Sequence, residues 1–89
     1  MAEQPAIDLL YFARVREAIG RSMETVSVPA HVLTVGDLIS WLATRGGGYA
    51  EAFADPSQIR AAIGDLFAEL SAPLGDAREI ALFPPVTGG

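Results

Sequence analysis

The stretch from Thr34 to Leu42 leaves this chain few architectures to choose from. Val35, Leu38, Ile39 and Leu42 fall at i, i+3, i+4 and i+7, which gives one apolar helical stripe. Thr34 can cap the first turn through its hydroxyl, and Asp37, three residues later, completes an N-terminal signature. Trp41 falls on the flank of the stripe, and Gly46-Gly47-Gly48 ends the helix. No Gly-Lys-Ser/Thr follows those glycines, so a phosphate-cradling loop is disfavoured. No second helix of comparable strength is written into the 89 residues. One helix can cover one face of a sheet, and the other face must then stay open.

The remaining segments read as short strands and turns. Ile7 to Ala13 alternates, with Ile7, Leu9 and Tyr11 on one face and Asp8, Leu10 and Phe12 on the other. Val15 to Ile19 forms a short helical turn closed by Gly20. Met23 to Val28 is a second strand stopped by Pro29, with Glu24 assigned outward and Val26 and Val28 inward, pairing antiparallel to the first. Tyr49 to Ala54 adds a short helix before Pro56. Ile59 to Ile63 and Leu66 to Leu70 flank Gly64-Asp65, a two-residue hairpin turn. Pro73 to Ala77 is another turn, and Arg78 to Phe83 is the last strand. The order β-β-α-β-β-β predicts one α+β domain over residues 1–89, with Met1 to Pro5 as a frayed lead and no repeat or linker.

Composition narrows the function. Half of the residues are hydrophobic, which argues against disorder. No apolar run reaches membrane-spanning length, and the start lacks a signal-peptide layout, so a cytoplasmic protein without membrane attachment is expected. The chain has no cysteine, which excludes disulfides, thiolate metal sites and cysteine nucleophiles. The net charge is −5, and without a basic stripe nucleic-acid binding is not expected. All six basic residues are arginines, so no lysine is available for self-conjugation. His31, the single histidine, is expected in a solvated loop, and the serines lack a histidine base in any recognisable motif. Neither a catalytic constellation nor a bound cofactor or metal is predicted.

Two features stand out against that background. First, the final strand runs into Pro84-Pro85-Val86-Thr87-Gly88-Gly89. The prolines stop the ladder after Phe83 and favour an extended path away from the body. Six residues at roughly 3.3 Å each reach about 20 Å, enough to carry a carboxylate into another protein's active site. Gly88 and Gly89 can pass a slot too tight for any side chain and leave the terminal carbonyl carbon unhindered. Two glycines end a chain by chance in roughly 0.5% of cases. Second, period two places Phe12 with Asp8, Phe67 with Glu69, and Phe83 with Glu79. Three of the four phenylalanines therefore map to the face that the charges mark as wet, which points to a partner surface.

The ending Leu82-Phe83-Pro84-Pro85-Val86-Thr87-Gly88-Gly89 resembles that of the MoaD-type sulfur carriers, the small subunits of molybdopterin synthase. The resemblance extends to Leu10-Tyr11-Phe12-Ala13-Arg14-Val15-Arg16-Glu17, Thr34-Val35-Gly36-Asp37-Leu38 and Pro73-Leu74-Gly75-Asp76. It implies a ubiquitin-like β-grasp fold, a mixed sheet covered on one face by the main helix with a flexible diglycine tail. It further implies that an E1-like enzyme uses ATP to adenylate Gly89, that a persulfide source converts it to a thiocarboxylate, and that Gly88 gives it passage. The carrier then docks through Phe12, Phe67, Phe83 and the tail residues Pro84, Pro85, Val86 and Thr87 onto a large subunit, in an assembly of two small and two large chains. There its sulfur adds to cyclic pyranopterin monophosphate, so the chain serves a sulfurtransferase without a catalytic site of its own. Gly64-Asp65 stands where such carriers often have Asn-Gln. Carriers for thiazole synthesis or tRNA thiolation, a ubiquitin-like modifier and a passive binding module are the alternatives.

Overall fold

The computed structural model describes residues 6–85. Strand β1 is Ala6–Tyr11, helix α1 is Ala13–Ile19 and strand β2 is Met23–Ser27. Helix α2, Val35–Ala43, is followed by α3, Gly47–Ala52, and a 3-10 turn at Pro56–Gln58. Strands β3, Arg60–Ile63, β4, Leu66–Ala68, and β5, Glu79–Phe83, complete one sheet of order β2-β1-β5-β3-β4. The two central strands, β1 and β5, run parallel, with Leu9 beside Ile80 and Tyr11 beside Leu82. All other pairings are antiparallel. The helical cover on one face is what the order of segments predicts, and the mixed sheet is what the resemblance implies.

The core forms where the two periodicities meet. Leu9, Tyr11, Ile80 and Leu82 point from the central strands toward the stripe Val35, Leu38, Ile39 and Leu42, and all are essentially fully buried. Each such side chain contributes about 1.5–3 kcal/mol of burial. Helix α2 starts with a reciprocal capping box: the Asp37 N–H donates to Thr34 Oγ1 at 3.1 Å, and the Thr34 N–H donates to Asp37 Oδ2 at 3.2 Å. The backbone N–H of Leu33 reaches the same carboxylate, and these bonds hold Asp37 below the ordinary aspartate range.

Element boundaries shift from the sequence reading in physically clear ways. Helix α1 begins at Ala13 rather than Val15, because the Phe12 carbonyl accepts from the N–H groups of Val15 and Arg16 at 3.1 and 3.3 Å. The turn into it places Ala13 at φ 51°, a left-handed conformation costly for a residue with a Cβ. The glycine run does not end α2, which stops at Ala43 with Thr44 as its C-cap; Gly46 is instead the N-cap of α3, and Gly47 and Gly48 are its first residues. At Gly48 the reason is contact: a Cβ would lie 2.0 Å from the Ala18 carbonyl oxygen of α1. Strand β4 stops at Ala68 instead of Leu70, as Ala72 turns back to donate to the Glu69 carbonyl and Leu70 accepts from Gly36. At the hairpin tip Gly64 has φ 60°, the first central position that a II′ turn reserves for glycine.

One expectation is overturned. Glu24 does not point outward, because period two ties it to the face of Val26 and Val28, and its side chain is only 7% exposed. Tyr11 Oη donates to Glu24 Oε2 at 2.8 Å, and Tyr49 Oη donates to the same oxygen. Arg45 Nη1 donates to Oε1 at 3.2 Å, and Arg21 lies 3.6 Å away. Burial favours the neutral carboxyl, but the two tyrosines and Arg45 outweigh it and lower the Glu24 pKa. Burial, then the Glu24 hydrogen bond, raises Tyr11 and Tyr49 above the ordinary phenol value. Arg45 also stacks over the Tyr49 and Trp41 rings, 4.6 and 5.7 Å from their centroids. A carboxylate enters an apolar layer here because both of its oxygens find donors and two arginines balance its charge.

Candidate functional site: the open sheet face and the root of the tail

No helix among the described residues lies over the second face of the sheet, which the alternate residues of each strand supply. The register stacks them in rows. One row runs Met23, Leu10, Ala81, Ala62 and Phe67 across all five strands. It is apolar throughout. On the side toward the tail, continuing the β1–β5 register puts Phe12 beside Phe83, and Arg60 is Phe83's partner on β3. On the other side lie Thr25, Asp8 and Glu79, with the hairpin tip beyond them, where the Gly64 N–H donates to the Glu79 carbonyl at 3.1 Å.

The three expected phenylalanines do lie on this face. Phe67 is 82% exposed and Phe12 47% exposed, while Phe83 is half-buried. The Phe67 and Phe83 rings pair edge-to-face with centroids 6.0 Å apart. They wall a groove of about 610 Å³ that Arg60, Glu69 and Leu70 also line. Phe12 flanks Phe83 one strand away, held there by its N–H on the Leu82 carbonyl at 3.2 Å. An aromatic pair left this open in water is an apolar surface without its complement.

The tail leaves from the same place. Phe83 ends β5, Pro84 and Pro85 are half-buried, and Pro84 lines a cleft between Arg14, Val15 and Ala18 of α1 and the Asp55–Ile59 segment. Val86, Thr87, Gly88 and Gly89 lie outside the described residues. Because β5 is central and parallel to β1, the chain reaches this point from the middle of the sheet. The sequence reading passed over Met23, 49% exposed, and Leu66, 75% exposed. Alternation could have found Met23, which stands opposite Leu10. Leu66 projects from the same side of the sheet as the core, at an edge where no helix covers it, and no local pattern signals that. His31 is exposed as expected, and among the described residues no His, Cys, Asp or Glu group has the proximity to hold a metal. Nor is any described helix long and apolar enough to cross a membrane.

Comparison with known proteins follows this geometry closely. The molybdopterin synthase sulfur carrier subunit of Escherichia coli (strain K12) is 37% identical over 83 residues, covering 93% of this chain and 99% of that protein. The protein of the same name from Haemophilus influenzae is 31% identical with the same coverage. Among solved structures, SAMP1 from Haloferax volcanii superposes with a TM-score of 0.67 at 27% identity, over 94% of this chain and 99% of that one. A second Haloferax volcanii protein, solved in solution, gives 0.72 at 25% identity, over 96% and 87%. These likenesses bear out the β-grasp fold. With residues 9–89 matching the ThiS family from the first central strand through the final glycine, the chain belongs to that family.

Proposed function

We propose that this chain is the sulfur-carrier subunit of a molybdopterin synthase, with the C-terminal carboxylate of Gly89 as its working group. The observation that carries this reading is the near full-length relation to two bacterial proteins of that name, reaching 37% identity. The pairing of exposed Phe67 with half-buried Phe83 at the root of the tail supports it. A carboxylate with a pKa near about 3.5 is ionised and a poor acyl donor, so it must first be activated. An E1-like enzyme transfers AMP from ATP to Gly89, releasing pyrophosphate. A persulfide sulfur then attacks the unhindered carbonyl carbon, and AMP departs with the bonding pair. A thiol on the donor side cleaves the resulting acyl disulfide by taking its outer sulfur into a new disulfide, which leaves the thiocarboxylate on Gly89. The protein itself binds no cofactor; ATP belongs to the activating enzyme.

In this reading Phe12, Phe67 and Phe83 dock the large subunit, while Pro84, Pro85, Val86 and Thr87 lead Gly88 and Gly89 into its active site. Two small and two large chains form the assembly, in the cytoplasm. The carrier gives reach and a reactive end, and the large subunit directs the sulfur onto cyclic pyranopterin monophosphate. The test is an intact mass after incubation with ATP, an E1-like enzyme and a sulfur donor. A gain equal to the difference between sulfur and oxygen, localised to the C-terminal peptide, is expected. An unchanged mass, with the enzyme proven active on another carrier, overturns it. High-mass isopeptide conjugates instead of the thiocarboxylate would mark a protein modifier.

A further inference from the structure

The two borders of the apolar row differ in kind. Toward the tail they are aromatic, Phe12 and Phe83, with Arg60 beyond. Away from the tail they are acidic, with Asp8 and Glu79 on adjacent central strands and Asp65 at the hairpin tip. Successive rows on one face lie roughly 6.6 Å apart, so this acidic border runs directly alongside the apolar row. Asp8 accepts from Thr25 Oγ1 at 2.6 Å, while Glu79 and Asp65 are exposed. Among the described residues every ion pair involves Glu24 on the opposite face, so these three carboxylates have no cation within 4 Å.

An apolar row alone fixes no direction, because a partner could lie across it in either sense. We propose that the acidic border fixes the direction in which the open face docks, by meeting a strip of Lys or Arg that borders an apolar strip on the partner. This rests on the docking face of the proposed function and adds the chemistry of what covers it. With that border engaged, the partner's active site lies toward Phe83 and the tail. A second copy of this chain is a poor occupant: Arg60 is the only cation borne by its five strands. Two such faces bring like charges together, which disfavours the contact.

The test is association with the molybdopterin synthase large subunit, timed by stopped flow at low and high salt. Glu79→Arg with Asp65→Arg reverses the border. Glu17→Arg with Glu51→Arg makes the same charge change on exposed positions of α1 and α3, the helical side. Arginine keeps the chain free of lysine, so no new amine can capture an activated tail. At about 20 mM salt the border variant is expected to associate at least about tenfold more slowly than the parent, converging with it near about 1 M, where charges more than about 3 Å apart are screened. The helical-side variant is expected to stay within about twofold of the parent at both. Equal slowing of both variants, or none in the border variant, overturns the proposal. Phe67→Asp separates the two levels. If it abolishes binding while the border variant binds normally, only the orienting role fails. If it too binds normally, the docking face itself is wrong.

Discussion

The two faces of the sheet are made by the same strands and have opposite fates. On β1 and β5 the residues Ile7, Leu9, Tyr11, Ile80 and Leu82 disappear under the helices, while their immediate neighbours Asp8, Leu10, Phe12, Glu79, Ala81 and Phe83 do not. Both faces carry aromatic and aliphatic side chains, so apolarity alone does not distinguish them. The covered face is closed by a helix whose stripe matches it and whose cap is complete. The open face has only a row of side chains and a charged border. A period of two thus lets one set of strands hold the fold and offer a surface, through residues that can be changed independently.

That independence is breakable, and the largest effect should come from the covered face. Leu38→Ala empties a fully buried site and is expected to cost about 3–4 kcal/mol, lowering the melting midpoint by roughly 15–25 °C in a scanning calorimeter. Gly48→Ala should follow, since its Cβ meets a backbone carbonyl of α1 rather than a movable side chain. Overpacking of about 1–3 kcal/mol is expected in denaturant titration, with the α1–α3 contact opened.

Glu24→Gln sharpens the comparison in another way, because it leaves shape intact and removes charge. Its depressed pKa means the stabilisation is full above the ordinary glutamate value of about 4.3 and is lost as pH falls through the folded value. The glutamine variant should lose about 1–2 kcal/mol at neutral pH and show a flatter stability profile on acidification, as read by urea midpoints. The smallest stability effect belongs to the open face. Phe67→Asp, at a site 82% exposed, should change folding stability by no more than about 0.5 kcal/mol. The same variant should weaken large-subunit binding by about 30-fold or more, measured by calorimetry. A large loss of stability there would mean that Phe67 supports the fold itself.

The covered face was the more legible of the two. The stripe in α2, the Thr34–Asp37 cap and the Gly64-Asp65 hairpin follow from local rules, and each stands in the structure as read. The aromatic content of the open face was legible because charge and alternation share one period. Glu24 was misread because a charge was sent to solvent against the alternation of its own strand. Its hydrogen-bond partners Tyr11, Tyr49 and Arg45 lie 13 to 25 residues away, and the one neighbour in sequence, Arg21, reads equally well as an exposed ion pair. The start of α1 needs Ala13 in a left-handed conformation that no sequence rule assigns to alanine. The early end of β4 depends on a hydrogen bond from the distant Gly36 to Leu70, and Leu66 is exposed because the helices do not extend over that edge.

The parallel pairing of β1 and β5 also has a mechanical side. A tail drawn into a partner's active site pulls on the C-terminal end of β5, while the docked face resists through the rest of the sheet. Since β5 lies between β1 and β3, such a load acts along its strand axis and is shared by the hydrogen bonds of both ladders at once. An edge strand pulled sideways would instead unzip one bond at a time. In the proposed function, rooting the tail on a central strand therefore makes the carrier a shear-loaded joint that can be inserted and withdrawn without opening its own sheet.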